Sequence, residues 1–126
     1  MALILVVDDS PTQALNLSRI LEKFGHQVIT AEDGLGGVAT AKSEKPDLVL
    51  MDVVMPGLNG FQATRKLTKD PETAHIPVVL VTTKDQETDR VWGERQGAKD
   101  YLVKPVEEQA LMETVHKCLS EVEAPS

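Results

Sequence analysis

Short, continuous apolar runs alternate along this chain with longer stretches whose apolar residues recur at helical spacing. The short runs are Leu3 to Val7, Gln27 to Ala31, Asp47 to Met51, Val78 to Val81 and Tyr101 to Val103. Their Val, Ile and Leu content suits strands. Several are apolar on both faces, which is the mark of a parallel sheet covered by helices on each side.

The intervening stretches predict helices. Ser10-Pro11-Thr12-Gln13 has a capping-box pattern with proline at the first helical position. Leu17, Leu21 and Phe24 then recur on one face, and Gly25 ends the helix. A second helix is expected over Leu35 to Glu44, and a third over Phe61 to Lys69, with Phe61, Thr64 and Leu67 on one side. The fourth spans Asp85 to Gln96 and is closed by Gly97; the fifth spans Glu107 to Val122, with Leu111, Val115 and Leu119 facing inward. Five strands alternating with five helices predict a doubly wound α/β domain around a parallel sheet. Such sheets bind ligands beyond the carboxyl ends of their strands, near the switch in strand order.

Composition narrows the function classes. At 126 residues the chain fits one domain, expected over residues 1–122, with 123–126 as a short C-terminal tail and no output domain. Thirteen basic against 20 acidic side chains give a net charge of −7, which disfavours binding to a phosphate backbone, so no nucleic-acid partner is expected. The first apolar run is too short for a membrane span and has no basic flank of the signal-peptide kind, so a cytoplasmic protein without membrane insertion is expected. The single cysteine, Cys118, cannot form an internal disulfide and reads as a small apolar filler on the last helix.

The strand ends carry the chemistry. The first strand ends in Asp8-Asp9, the third in Asp52, the fourth in Thr82-Thr83 and the fifth in Lys104-Pro105. Taken singly, each has an ordinary reading as a helix cap, a turn or a loop start. Together they bring three carboxylates, a hydroxyl and an ammonium to one sheet edge. Three carboxylates in one place repel one another, and a hard divalent cation resolves the conflict. Mg²⁺ is the cation that keeps waters and accepts phosphate oxygens. Lysine and threonine then suit a phosphoryl group, and one carboxylate can act as the nucleophile.

Val6-Val7-Asp8-Asp9-Ser10, Leu50-Met51-Asp52-Val53-Val54-Met55-Pro56-Gly57-Leu58-Asn59-Gly60, Val81-Thr82 and Lys104-Pro105 together resemble the signature of response-regulator receiver domains, the CheY-like family. The resemblance covers essentially the whole chain. It implies a flavodoxin-like fold with strand order 2-1-3-4-5, the order of CheY itself.

The same resemblance implies residue roles. Asp52 is the phosphorylation site, taking a phosphoryl group from a histidine kinase (CheA-like). Asp9, Asp52 and the backbone carbonyl of Val54 hold Mg²⁺, with Asp8 holding a metal-bound water or completing the shell. Lys104 pairs with the phosphoryl oxygens and Thr82 donates to one of them. A cis bond is expected at Lys104-Pro105. Thr82 and Tyr101 form the switch, the aromatic ring rotating to follow Thr82. They bias a target-binding face made by the fourth helix, fifth strand and fifth helix. Trp92, on that side, is read as buried packing or as an interface anchor.

Met51 to Leu67 and Thr82-Thr83-Lys84-Asp85-Gln86-Glu87-Thr88-Asp89 further resemble the PilH-type regulators of type IV pilus twitching motility. The expected function is thus a stand-alone phospho-receiver of a chemotaxis-like two-component pathway. It is not an enzyme beyond Mg²⁺-dependent self-phosphorylation and autophosphatase chemistry. A phosphate sink competing for kinase phosphoryl groups is the alternative.

Two positions depart from the family's common pattern: Val54 is apolar where many receivers are polar, and Thr83 stands where alanine or glycine is usual. Neither positions a hydrolytic water, so slow self-dephosphorylation is expected. Lys84 could oppose this or clasp the phosphoryl group. A haloacid-dehalogenase-type phosphatase needs an acid two residues after its nucleophile, and Val54 occupies that place. A flavin module needs a hydroxyl- and glycine-rich phosphate loop after the first strand, where Asp8-Asp9 stand. His26, His75 and His116 lack metal-ligand spacing and read as surface or loop residues.

Overall fold

The computed structural model describes residues 2–123. The order is β1 (Leu3–Val7), α1 (Pro11–Lys23), β2 (Gln27–Ala31), α2 (Gly34–Glu44), β3 (Leu48–Met51), α3 (Gly60–Lys69), β4 (Val78–Thr82), α4 (Glu87–Arg95), β5 (Asp100–Val103) and α5 (Glu108–Glu123). The five strands are all parallel in the order β2-β1-β3-β4-β5, as the family resemblance implies. Of the expected tail, residues 124–126 lie outside the described residues. Among the described residues, no helix is long and apolar enough to cross a membrane.

Alternate strand residues feed two cores, because successive side chains point to opposite faces of a sheet. Leu5, Val7, Val49, Met51 and Leu80 pack on one side with Ala41 of α2 and Phe61, Ala63 and Leu67 of α3. Ile4, Val6, Leu48, Leu50, Val79 and Val81 pack on the other with Leu17 and Leu21 of α1 and Leu111, Val115 and Cys118 of α5. Burial of β3, β4 and all of β1 but Leu3 explains why their sequences are nearly continuous apolar runs.

Several expectations need correction. Phe24 does not continue the apolar face of α1; it is the C-cap and is exposed, because Gly25 turns the chain there at φ 88°. The capping box at α1 is half formed. Ser10 Oγ accepts from Gln13 N at 3.4 Å, but the Gln13 side chain does not return to the cap and instead accepts from Lys104. The complete box lies at α3, where Asn59 and Gln62 exchange side-chain and backbone bonds at 2.9 Å each. Helix α4 begins at Glu87, two residues later than Asp85, because both backbone polar groups of Lys84 are engaged elsewhere.

Candidate functional site

The carboxyl ends of β1, β3, β4 and β5 form one rim. The backbone N–H of Asp52 donates to Val7 O at 2.9 Å, and that of Lys104 to Thr82 O at 2.8 Å, so the ladder itself sets these residues side by side. Helix α3 begins hard against the end of β3. A Cβ on Gly60 would lie 2.0 Å from Asp52 O and 2.7 Å from Val53 Cα, so only glycine permits that approach. The Lys104-Pro105 bond is cis, as the family resemblance implies.

Asp8, Asp9 and Asp52 each present a carboxylate oxygen, all within 4.8 Å of one another. Asp8 and Asp52 are 3% and 7% exposed, whereas Asp9 stands in solvent. Lys104 Nζ lies 2.7 Å from Asp8 Oδ2 and 3.6 Å from Asp52 Oδ2, and it also donates to Gln13 Oε1. Asp8 Oδ1 accepts from Ser10 N at 2.9 Å. Both Asp8 oxygens are thus engaged by protein donors, and Asp9 carries no such bond.

Burial pushes the Asp52 carboxyl above the usual carboxylate range. The Lys104 ammonium pulls the other way, the Asp8 charge adds to the rise, and backbone N–H groups of Val53 and Val54 oppose it. Three carboxylates against one ammonium leave the rim with an excess of two negative charges. An all-oxygen donor set of that charge fits a hard divalent cation such as Mg²⁺.

Thr82, fully buried, accepts from Lys84 N at 3.3 Å through its Oγ1, which leaves its hydroxyl proton for another acceptor. Tyr101 is already inside in this structure, 4% exposed, with its hydroxyl donating to Lys84 O at 2.8 Å. Burial, with the Asp89 charge adding to it, pushes this phenol up to about 12, so it stays a donor at any physiological pH. The Arg90 guanidinium lies 5.2 Å over the Tyr101 ring and donates to the Tyr101 carbonyl at 3.2 Å.

Other residues fall differently from the sequence reading. Trp92 is 50% exposed, so it is not buried packing; with the partly exposed Val91 it forms an apolar spot on α4. The Lys84 ammonium points to Asp89, 3.8 Å away. Val54 is 54% exposed and Thr83 is also exposed. His26, in the loop after α1, and His116, exposed on α5, stand where the sequence reading put them, but their rings lie 6.2 Å apart and His26 Nδ1 accepts from Ala2 N at 3.2 Å. Gln13 and Arg90 were missed. The Ser10–Gln13 spacing is fully accounted for as a cap, and an arginine on a polar helix carries no mark of the ring it covers.

Residues 4–116 match the family model of the response regulator receiver domain. Protein PilH of Pseudomonas aeruginosa is 67% identical over 120 residues, spanning 95% of this chain and 99% of that protein. The chemotaxis protein CheY4 of Vibrio cholerae superposes with a TM-score of 0.89 at 31% identity, covering 94% of this chain and 99% of the other. A signal receiver domain of a histidine kinase from Syntrophus aciditrophicus gives a TM-score of 0.91 at 36% identity, covering 100% and 96%.

Proposed function

The chain belongs to the response regulator receiver family, and from that premise we propose that it is a phospho-receiver switched by phosphorylation of Asp52 and acting in type IV pilus twitching motility. The observation that carries the reading is the joint geometry at the rim. Three carboxylates meet within 4.8 Å, with Lys104 between two of them, and Thr82 holds a hydroxyl proton to spare.

Asp9, Asp52 and the Val54 carbonyl would hold Mg²⁺ directly, since both Asp8 oxygens are already engaged and Asp8 is better placed to support than to ligate. Bound there, Mg²⁺ would supply positive charge to offset that of the phosphoryl group as it passes from the donor's nitrogen to an Asp52 oxygen. Asp52 attacks phosphorus of the donor's phosphohistidine through one carboxylate oxygen. The P–N bond breaks, and the imidazole leaves with its electron pair. Lys104 lies close enough to Asp52 to pair with the incoming phosphoryl oxygens. Thr82 donates its free hydroxyl proton to one of them.

The readout follows from Lys84. Drawing Thr82 toward a phosphoryl oxygen moves the acceptor of Lys84 N, and Lys84 O is the acceptor for Tyr101. The loop before α4 therefore couples the modified site to a ring buried beneath α4, and through it to the face where Trp92 and Val91 stand exposed. With Tyr101 already inside, the change is a redistribution between two arrangements of this loop and helix. No step beyond self-phosphorylation and hydrolysis of the aspartyl phosphate to free phosphate is assigned to the protein as an enzyme.

Twitching motility rests on the likeness to PilH over nearly the whole of both chains. A CheA-like histidine kinase would be the donor and a separate cytoplasmic protein the target. Expressed in a Pseudomonas aeruginosa strain lacking PilH, this chain should restore the wild-type twitching pattern, and its Asp52→Ala variant should not. Failure of the wild-type chain despite normal expression contradicts the pathway assignment. Equal rescue by both forms contradicts the phospho-switch.

A further inference from the structure

The Lys104 ammonium donates to Asp8 Oδ2 at 2.7 Å and to the Gln13 amide oxygen, and a third carboxyl or amide oxygen, Asp52 Oδ2, lies 3.6 Å away in an ionic contact. Two of these belong to the acidic cluster. The Gln13 oxygen does not, and it has no part in the roles assigned above. Gln13 sits on the exposed first turn of α1, where Ser10 anchors its backbone N–H. Its side chain forgoes the return bond of a capping box to reach Lys104 across 91 residues of sequence.

From this contact we infer that Gln13 is a positioning residue: its amide oxygen holds the Lys104 ammonium in place for the phosphoryl group. The inference rests on the proposed phosphorylation of Asp52. A lysine carries its charge on a flexible four-carbon stem, and ordering that stem on binding costs affinity. Asp8 alone would draw the ammonium deeper into an ion pair. A second acceptor on α1 opposes that pull. Because the amide is neutral, it does this without cancelling the positive charge that the phosphoryl oxygens need. A glutamate would hold the lysine equally well and repel the incoming group.

The test uses the full chain with saturating Mg²⁺ and beryllium fluoride, a small mimic of the phosphoryl group, with binding followed by ¹⁹F NMR. Gln13→Met keeps the length of the side chain and its helix preference while removing the acceptor. It should weaken binding about fivefold with the thermal midpoint unchanged. In the Lys104→Met background the same substitution should add nothing, because Gln13 acts only through Lys104. If that background binds too weakly to measure, side-chain relaxation of Lys104 in the free protein decides: its methylenes should be more mobile in Gln13→Met. Unchanged or tighter binding, an equal loss in both backgrounds, or unchanged Lys104 mobility overturns the inference. Absence of binding to the wild-type chain would instead overturn the underlying phospho-receiver reading.

Discussion

The Tyr101 hydroxyl donates to the Lys84 carbonyl at 2.8 Å, while the Lys84 N–H donates to Thr82 Oγ1 at 3.3 Å. One residue of the β4–α4 loop thus ties the site to the Tyr101 ring of β5 with both of its backbone polar groups. Tyr101→Phe removes the first link and leaves a partly buried carbonyl short of a donor. It should cost about 1 kcal/mol of stability in denaturant unfolding. The yield of phosphorylated Asp52 should stay the same, while amide shifts of α4 respond less to phosphorylation than in wild type.

Asp52 is held charged at a cost when no cation is bound. Its folded-state pKa is raised by burial, so its contribution is stabilising below the unfolded-state value and is lost as pH rises through the raised one. At neutral pH the group therefore destabilises the metal-free fold. Asp52→Asn should raise the thermal midpoint at pH 7 by about 3 °C, and the advantage should shrink as the buffer is made more acidic. Adding Mg²⁺ should stabilise wild type more than the variant, since binding to the native state alone shifts the folding equilibrium.

His26 gives a pH dependence of the opposite sign. Its pKa is lowered by burial first, then by the positive amino terminus and by His116. A base with a depressed folded value contributes stability above the unfolded value near 6.5, and loses it as pH falls through the folded one. Wild type should therefore lose stability on acidification from about pH 7 toward pH 5. The His26→Gln variant should show a flatter profile over that window in pH-resolved thermal melts.

Val54 projects into solvent at the mouth of the site and brings no polar group to a water. Val54→Asn should shorten the phosphorylated lifetime about tenfold, equivalent to ~1.4 kcal/mol in the barrier, as measured by the decay of phosphorylated protein after removal of the donor. An unchanged lifetime would remove the basis for slow self-dephosphorylation.

The strands were legible because β1, β3 and β4 are buried on both sides and so must be apolar throughout. Asp8, Asp9, Asp52 and Thr82 were legible because they end or follow such runs, and Lys104 because it follows the shorter apolar run of β5, where a parallel sheet exposes its strand ends. What the sequence did not reveal depends on side chains meeting across elements. Nothing local distinguishes a glutamine that closes a cap from one that reaches Lys104. The approach of His26 to His116 is set by the packing of α1 and α5, which sequence spacing does not record. The late start of α4 has the same origin, since Thr82 and Tyr101 take the Lys84 backbone groups from a segment whose own sequence would allow a helix. Trp92 shows the limit of an apolar pattern, since a large hydrophobic residue can also face solvent.

The most direct test of the central claim is intact-protein and peptide mass spectrometry after incubation with a small acyl phosphate and Mg²⁺. One phosphoryl group should appear, on Asp52, and it should be lost on Asp52→Ala or when the cation is chelated. A group placed on another residue, or none at all in the wild-type protein, would contradict the account.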